Sequence, residues 1–271
     1  MERIAGNSTR SNAIRVVSVG HAVFAVMMVS IGVIGLVRGV FTPTWVGVPK
    51  AVPLRVELAY LCGLVSLLTG IGLLWRRTAL IAASVLLSSL LIWMLLFRIY
   101  PIVIAPKTTD PWWACGDTAV MIGAAWVLYV WFAADRGRPG LLAGDTGLHI
   151  ARVFYGLGLI PFGIAHFTYL DRTVSMVPGW LPWHLGWAYF TGISLIVAGV
   201  AIVIGVYGRL AAALSALELG LFTLLVWGPV VVAGPRASDW GEIISSCVLT
   251  AAAWVVADSY RGMPWLAIGR R

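Results

Sequence analysis

The chain has 271 residues, of which 60% are hydrophobic and only 11% are charged, and its mean hydropathy is +0.93. A soluble domain is about 45–50% apolar and about 25% charged, and a soluble fold of this size could not hide so much apolar surface from water. The composition therefore predicts an integral membrane protein. It excludes a disordered chain, a disulfide scaffold and a water-soluble protein that binds nucleic acid.

The net charge of +8 has a membrane explanation. The basic residues lie mainly at the ends of apolar runs, where they set the orientation of a membrane protein and contact lipid headgroups. We therefore expect membrane lipid as a partner and no nucleic acid.

Eight apolar runs are long enough to form membrane-spanning helices, each of which needs about 20 residues. They cover approximately 14–37, 54–75, 78–100, 116–133, 148–169, 183–206, 209–232 and 241–257. The first run is too long for the apolar part of a signal peptide, which is about 7–15 residues, so we expect it to be a retained helix. The predicted fold class is an all-α integral membrane protein with eight transmembrane helices.

Basic residues predict the orientation. With eight spans both termini lie on one side, and that side carries twelve of the 19 Lys and Arg residues. Because positive charge is enriched in cytoplasmic loops, we expect both termini in the cytoplasm and a multi-pass protein of the cell's inner membrane. The longer loops, rich in Pro and Trp, then lie on the outer side, where we expect the functional loops.

The two halves of the chain repeat each other at an offset of about 128–129 residues. The matches include 48–53 with 177–182, 59–63 with 188–192, 124–127 with 252–255, and His21 with His149. Four spans in each half predict two parallel four-helix-bundle repeats, related by a pseudo-two-fold axis along the membrane normal. The predicted units are residues 1–135, a cytoplasmic linker 136–147, and residues 148–271.

The second half carries a set of motifs that belong together. It has a Gly-x-x-His-Phe element, a Val-Pro-x-Trp-Leu-Pro loop, a helix with Thr-Gly, and a run of small residues, at 162–167, 176–184, 187–192 and 198–208. These motifs resemble the DoxX family of small four-helix membrane proteins, over about 150–232. The first half looks like a diverged copy, so the chain resembles a tandem DoxX-like protein.

This resemblance implies a membrane subunit linked to redox work. Some members of the family are associated with thiosulfate:quinone oxidoreductase, and others with oxidant-defence or thiol-redox complexes. The chain departs from the family at two places: Ser194 stands where an acidic residue is common, and the first half has Arg38 opposite His166.

Glu218 is the sharpest single candidate for a function. It lies near the middle of the seventh predicted span, where an ionisable group costs several kcal/mol and is a functional candidate by default. It could relay protons or accept a hydrogen bond from a quinol. The alternative is a protonated carboxyl group paired with a neighbouring helix.

Polar and aromatic side chains near the predicted outer side form a second candidate site. His166 is expected at the end of the fifth span and His184 at the start of the sixth, with Trp180 and Tyr189 nearby in sequence. A quinone headgroup needs hydrogen-bond donors beside an apolar slot. We predict that His166 contacts the headgroup and that Glu218 handles protons. The alternative is two interfacial histidines bonded to loop carbonyl groups.

Other charged residues at the predicted outer ends of the spans are expected to have structural roles. Glu57 could pair with Arg38 or Arg98, or face lipid headgroups. Asp110 and Asp117 are expected to cap the start of the fourth span, since an acidic side chain stabilises a helix start.

The predicted function is a membrane subunit of a redox complex that binds a quinone or similar hydrophobic molecule at its outer side. The sequence has no recognisable ligand set for a metal or flavin, so no metal site and no covalently bound cofactor are expected, and the redox centre is expected on a partner protein. A non-catalytic anchor or assembly subunit, or a carrier of a lipid-like molecule, is the alternative. Whether the chain is itself an enzyme, and whether it forms a homo-oligomer, is left open.

Overall fold

The computed structural model describes residues 16–137, 140, 142–236 and 239–269, and this part of the chain is helical with no strands. Eight of its helices are long and apolar enough to cross a membrane, which confirms the all-α membrane class. They are α1 (Val19–Arg38), α2 (Arg55–Leu74), α3 (Ala79–Ile104), α4 (Thr109–Asp135), α5 (Asp145–Thr168), α6 (His184–Ile204), α7 (Gly208–Ala233) and α8 (Asp239–Asp258).

Several basic residues that entered the orientation argument lie outside the described residues: Arg3, Arg10, Arg15, Arg138, Arg270 and Arg271. The membrane and the side of each terminus stay predictions. We call the end of the bundle that carries the loops 39–54, 105–108 and 169–183 the predicted outer end.

The predicted third span ends at residue 100 and the fourth begins at residue 116, so a loop was expected over 101–115; that prediction is wrong, because most of this segment is helical. α3 runs on to Ile104, and α4 begins at Thr109 instead of at residue 116. Asp110 lies in the first turn of α4, as expected, and accepts a hydrogen bond from the Tyr169 hydroxyl, which raises the pKa of Tyr169. Asp117 lies more than two turns inside α4, so it is not a cap. Trp112, whose amphipathic ring suits the membrane interface, allows the helix to extend through this segment.

The helices form two five-membered rings that share one edge. α1, α2, α3, α4 and α8 pack as one ring, and α4, α5, α6, α7 and α8 pack as the other, with α4 against α8 in both. In the most apolar 18-residue window of α4, 78% of the residues are buried, whereas the corresponding figure for α7 is 6%. In this window the shared helix α4 is thus largely enclosed by protein, while few residues in the corresponding window of α7 are fully buried.

Two local features recur at the offset that the sequence repeat predicts. Leu54 before α2 and Trp183 before α6 both have a left-handed backbone conformation, with φ of 52° and 69°. A π-helical turn interrupts α3 at Met94–Arg98 and α7 at Thr223–Trp227. The packing of α1 on α8 also corresponds to that of α5 on α4. The two-repeat organisation and its linker stay predictions, and residues 138, 139 and 141 of the linker lie outside the described residues.

Glycines set the spacing between paired helices. A Cβ atom on Gly32 of α1 would lie 2.4 Å from the backbone nitrogen of Leu67 on α2. In the second half, a Cβ atom on Gly163 of α5 would lie 2.4 Å from the carbonyl oxygen of Gly192 on α6. Membrane helices associate through such close backbone contacts, since lipid offers no hydrophobic driving force between them.

We expect Gly163→Ala to lower the free energy of unfolding by about 1–3 kcal/mol, because the added methyl group would force α5 and α6 apart. Gly241→Ala is the matched control, because a Cβ atom there meets nothing within 4 Å. Thermal unfolding in detergent, followed by tryptophan fluorescence, measures both. Equal midpoints of thermal unfolding for the two variants would contradict the role given to Gly163 in the close contact of α5 and α6.

Candidate functional site

Glu218 lies inside the second ring, close to the middle of the membrane. It follows Gly208 at the start of α7 by ten residues, which is about 15 Å along the helix axis in a hydrocarbon core about 30 Å thick. Its Oε2 is 2.6 Å from the Ser194 hydroxyl of α6. Its other oxygen, Oε1, is buried and has no hydrogen-bond partner within the described part of the chain.

The contacts of Ser194 favour a neutral Glu218. The Ser194 hydroxyl lies 2.6 Å from Glu218 Oε2 and 2.9 Å from the Thr191 carbonyl oxygen, which can only accept. A serine hydroxyl has one proton to donate. If Glu218 is protonated on Oε2, it donates to Ser194, and Ser194 donates to Thr191, so both contacts are hydrogen bonds. An ionised Glu218 would compete with Thr191 for the same proton.

The side chains around Glu218 form a polar strip along α7. One turn earlier, Ser215 makes a 2.9 Å hydrogen bond with the buried Tyr155 hydroxyl of α5. Towards the predicted outer end, the Thr223 hydroxyl lies 2.6 Å from that of Ser246 and 2.8 Å from that of Thr250, both on α8. Residues three apart share a helix face, so Ser215 places Glu218 on the side of α7 that faces the ring.

His166 lies on the contact between α5 and α6. Its Nδ1 is 2.8 Å from the Phe162 carbonyl oxygen of its own helix, and a Cβ atom on Gly192 would lie 2.9 Å from the Cβ of His166. On α6, Gly192 and Ser194 are two residues apart, which is about 3 Å in depth and about 200° around the helix. His166 and Glu218 therefore lie at similar depths but on different sides of α6, and no hydrogen bond or ion pair between described groups joins them.

The other predicted site residues lie at or near the surface of the predicted outer end. Trp180 is 70% exposed and Tyr189 is 41% exposed. The Tyr189 ring packs on Phe167 with 5.7 Å between ring centroids, and His184 begins α6. This arrangement suits contact with lipid at the interface, and the structure does not gather these side chains around Glu218.

A second buried polar cluster, which the sequence analysis missed, lies in the first ring. Arg98 is only 3% exposed, and its Nε–H donates to the Thr118 hydroxyl of α4 over 2.9 Å. Asp117 is close enough to Arg98 to interact electrostatically, and its Oδ1 is buried without a hydrogen-bond partner among the described groups. A cavity of about 10 Å³ beside Asp117 and Thr118 has room for one water molecule.

The structure does not form the pair that Glu57 could make with Arg38 or Arg98, and contact with lipid headgroups stays the other interpretation. Glu57 is exposed and makes no ion pair with any described residue, while Arg98 turns towards α4 at the end of the π-helical turn. Such turns often mark functional sites. The sequence did contain a signal for this cluster, since charged residues within apolar runs are functional candidates by default.

Within the described ranges, no group of three or more His, Cys, Asp or Glu side chains could hold a metal ion.

Comparison with known proteins gives no relative: no protein-family model, no curated protein and no solved structure matches the chain.

We expect Thr118→Val to lower the free energy of unfolding by about 1.5–3 kcal/mol, because valine keeps the shape but leaves the buried Arg98 Nε–H without an acceptor. Thr118→Ser, which keeps the hydroxyl, is the matched control. Thermal unfolding in detergent measures the difference. If valine and serine at this position behave alike, the hydrogen bond contributes nothing.

Proposed function

We propose that this protein is a membrane subunit of a redox complex and that it binds a quinone or a similar hydrophobic molecule with a polar headgroup. In this proposal Glu218 contacts the headgroup, and the redox centre belongs to a partner protein. The observation that carries the proposal is the buried Glu218 Oε1, which no described side chain or backbone group satisfies. A buried polar atom without a partner is costly, and a ligand would remove that cost.

The chemistry of Glu218 suits both oxidation states of a quinone. With its proton on Oε2, directed to Ser194, the carboxyl group offers Oε1 as an acceptor for a quinol hydroxyl. With its proton on Oε1, it donates to a quinone carbonyl, and Oε2 accepts from Ser194. To change from one arrangement to the other, the Ser194 hydroxyl rotates and the carboxyl proton moves between the two oxygens of Glu218.

In this proposal a lipid-soluble molecule enters from the bilayer beside α7. Leu217, Leu221 and Leu224 are exposed on α7, so the helix that carries Glu218 is in direct contact with the bilayer. His166 supplies a further polar group at a similar depth on the neighbouring contact, between α5 and α6.

We expect Glu218→Leu to reduce the quinone that copurifies with the protein by about tenfold or more, which is the loss that follows when a buried polar contact to a ligand is removed. The variant should still fold, because Ser194 keeps the Thr191 carbonyl oxygen as an acceptor. Glu57→Leu is the control, since it removes an exposed carboxyl group. The measurement is quinone extracted per mole of protein purified in mild detergent.

Wild-type protein that carries phospholipid but no quinone would overturn the proposal and favour the anchor or the lipid carrier. Glu218→Leu separates these functions further. A quinone-binding subunit should lose quinol-dependent electron transfer in native membranes at unchanged expression, whereas an anchor should not.

A further inference from the structure

A cleft of about 270 Å³ opens at the predicted outer end, between the end of α1 and the start of α2. Its walls are apolar, with Val40, Phe41, Val46 and Val56, and Arg55 is its one charged lining residue. We refer to this opening of about 270 Å³ as the α1–α2 cleft. This is below the 300–1,000 Å³ of sites for drug-sized ligands and fits a compact polar headgroup.

Arg55 at the first position of α2 leaves its charge free for a ligand. The side chain is exposed, and its guanidinium lies over the Phe41 ring at 5.2 Å from the centroid. It makes no ion pair with any residue that the structure describes. The nearby Glu57 is two residues away on the same helix, and such pairs do not face each other.

Arg98 supplies a second guanidinium directly behind the cleft. Gly47 lines the cleft with φ of 95°, and a Cβ atom there would lie 2.8 Å from Nη1 of Arg98. Only the Nε–H of Arg98 has a hydrogen-bond partner among the described residues, which is Thr118. A guanidinium carries five N–H donors, so four have no partner among the described residues; Arg98 is buried and contacts Gly47, which lines the cleft, without lining the cleft itself. Asp117 offsets part of this charge, but the two side chains form no direct ion pair.

The loop that shapes the cleft is held in place before any ligand binds. Trp45 is 2% exposed, and its indole N–H donates to the Ser66 hydroxyl of α2 over 2.7 Å. Its ring packs edge-on against Trp93 of α3, with 5.1 Å between centroids. A preformed site loses less conformational entropy when it binds.

We propose that the α1–α2 cleft binds the phosphate-bearing headgroup of an anionic phospholipid from the adjacent leaflet. The cleft has arginine at its mouth and behind its floor and no acidic lining residue, and arginine binds phosphate through paired charge-assisted hydrogen bonds. Exposed apolar residues of α2, including Leu61 and Leu64, continue from the cleft into the membrane and accept the acyl chains. The site lies in the first ring and does not depend on the function proposed for Glu218.

The test uses the full chain in nanodiscs of phosphatidylcholine with a minor fraction of phosphatidylglycerol. After release into mild detergent, native mass spectrometry counts the phosphatidylglycerol molecules that stay bound. We expect one tightly retained molecule on the wild type and about tenfold weaker retention on Arg55→Gln, the loss that follows when a charge-assisted hydrogen bond is removed. Lys50→Gln is the matched control, because it removes an exposed positive charge from the same loop without touching the cleft.

Equal lipid retention by wild type and Arg55→Gln would overturn the proposal, because Arg55 would then not bind the headgroup. A loss of retention in Lys50→Gln equal to that in Arg55→Gln would also overturn it, because the lipid would then be held by the general positive charge of this end and not by the cleft. Added inorganic phosphate should leave the bound phosphatidylglycerol in place. If phosphate displaced the lipid, the cleft would instead be assigned to a free anion. Arg98→Lys keeps the charge but loses the planar donor pair, and we expect it to weaken retention as well. Its unfolding midpoint in pure phosphatidylcholine separates that effect from a loss of fold; unchanged retention would remove Arg98 from the site.

Discussion

The structure depends on one constraint: inside the hydrocarbon layer, every polar group must find its partner within the protein. The helices meet this requirement for the backbone, and hydroxyl groups meet it by returning to the carbonyl four residues back, as Thr69 does to Val65 and Thr191 to Trp187. Cross-helix pairs such as Tyr155 with Ser215 satisfy the more deeply buried groups. Among the described residues, five buried side-chain atoms have no hydrogen-bond partner, on Thr42, Trp93, Asp117, Glu218 and Asp258. Asp117 and Glu218 are the two carboxyl groups among them that lie well inside a helix, and these two exceptions are the ones that point to a function.

The two exceptions belong to different rings, and the rings have diverged in how they fill their interiors. In the first ring, Trp45, Trp93 and Phe97 pack together near the predicted outer end, and Arg98 lies next to Phe97 in the chain. The position that corresponds to Arg98 in the second half is Trp227, and Glu218 corresponds to Ser89 of the first half. One ring thus carries a buried cation near its end, and the other a carboxyl group at mid-depth. A duplicated scaffold that differs in this way has room for two separate binding events.

Hydropathy alone was sufficient to predict that eight helices span the membrane, because the free-energy cost of placing charged residues in lipid determines which segments can do so. It also identified Glu218, since an acid in such a run stands out. It could not pair Glu218 with Ser194 or Arg98 with Thr118, because cross-helix partners depend on how each helix is rotated, and the π-helical turns change that rotation locally. The start of α4 was misplaced for a related reason: Trp112 and Asp110 are as compatible with a helix end at the interface as with a loop.

His166 shows where a sequence motif reaches its limit. The residue lies near the end of α5, as its position in the chain predicts, but no hydrogen bond or ring contact between described groups joins it to His184 or Trp180. The left-handed turn at Trp183 and the connecting helix Leu170–Met176 separate those residues along the surface.

The unequal burial of α4 and α7 implies that the two helices differ in which amino-acid replacements they tolerate. Over its most apolar part, α4 is enclosed by other helices, so most side chains there must match a fixed volume. On α7, Leu214, Leu217, Leu221 and Leu224 are exposed, and acyl chains adjust to whatever shape they meet. Over evolutionary time, the enclosed part of α4 should therefore accept few replacements of any size, whereas the exposed positions of α7 should exchange leucine, valine and isoleucine freely while its polar residues are kept.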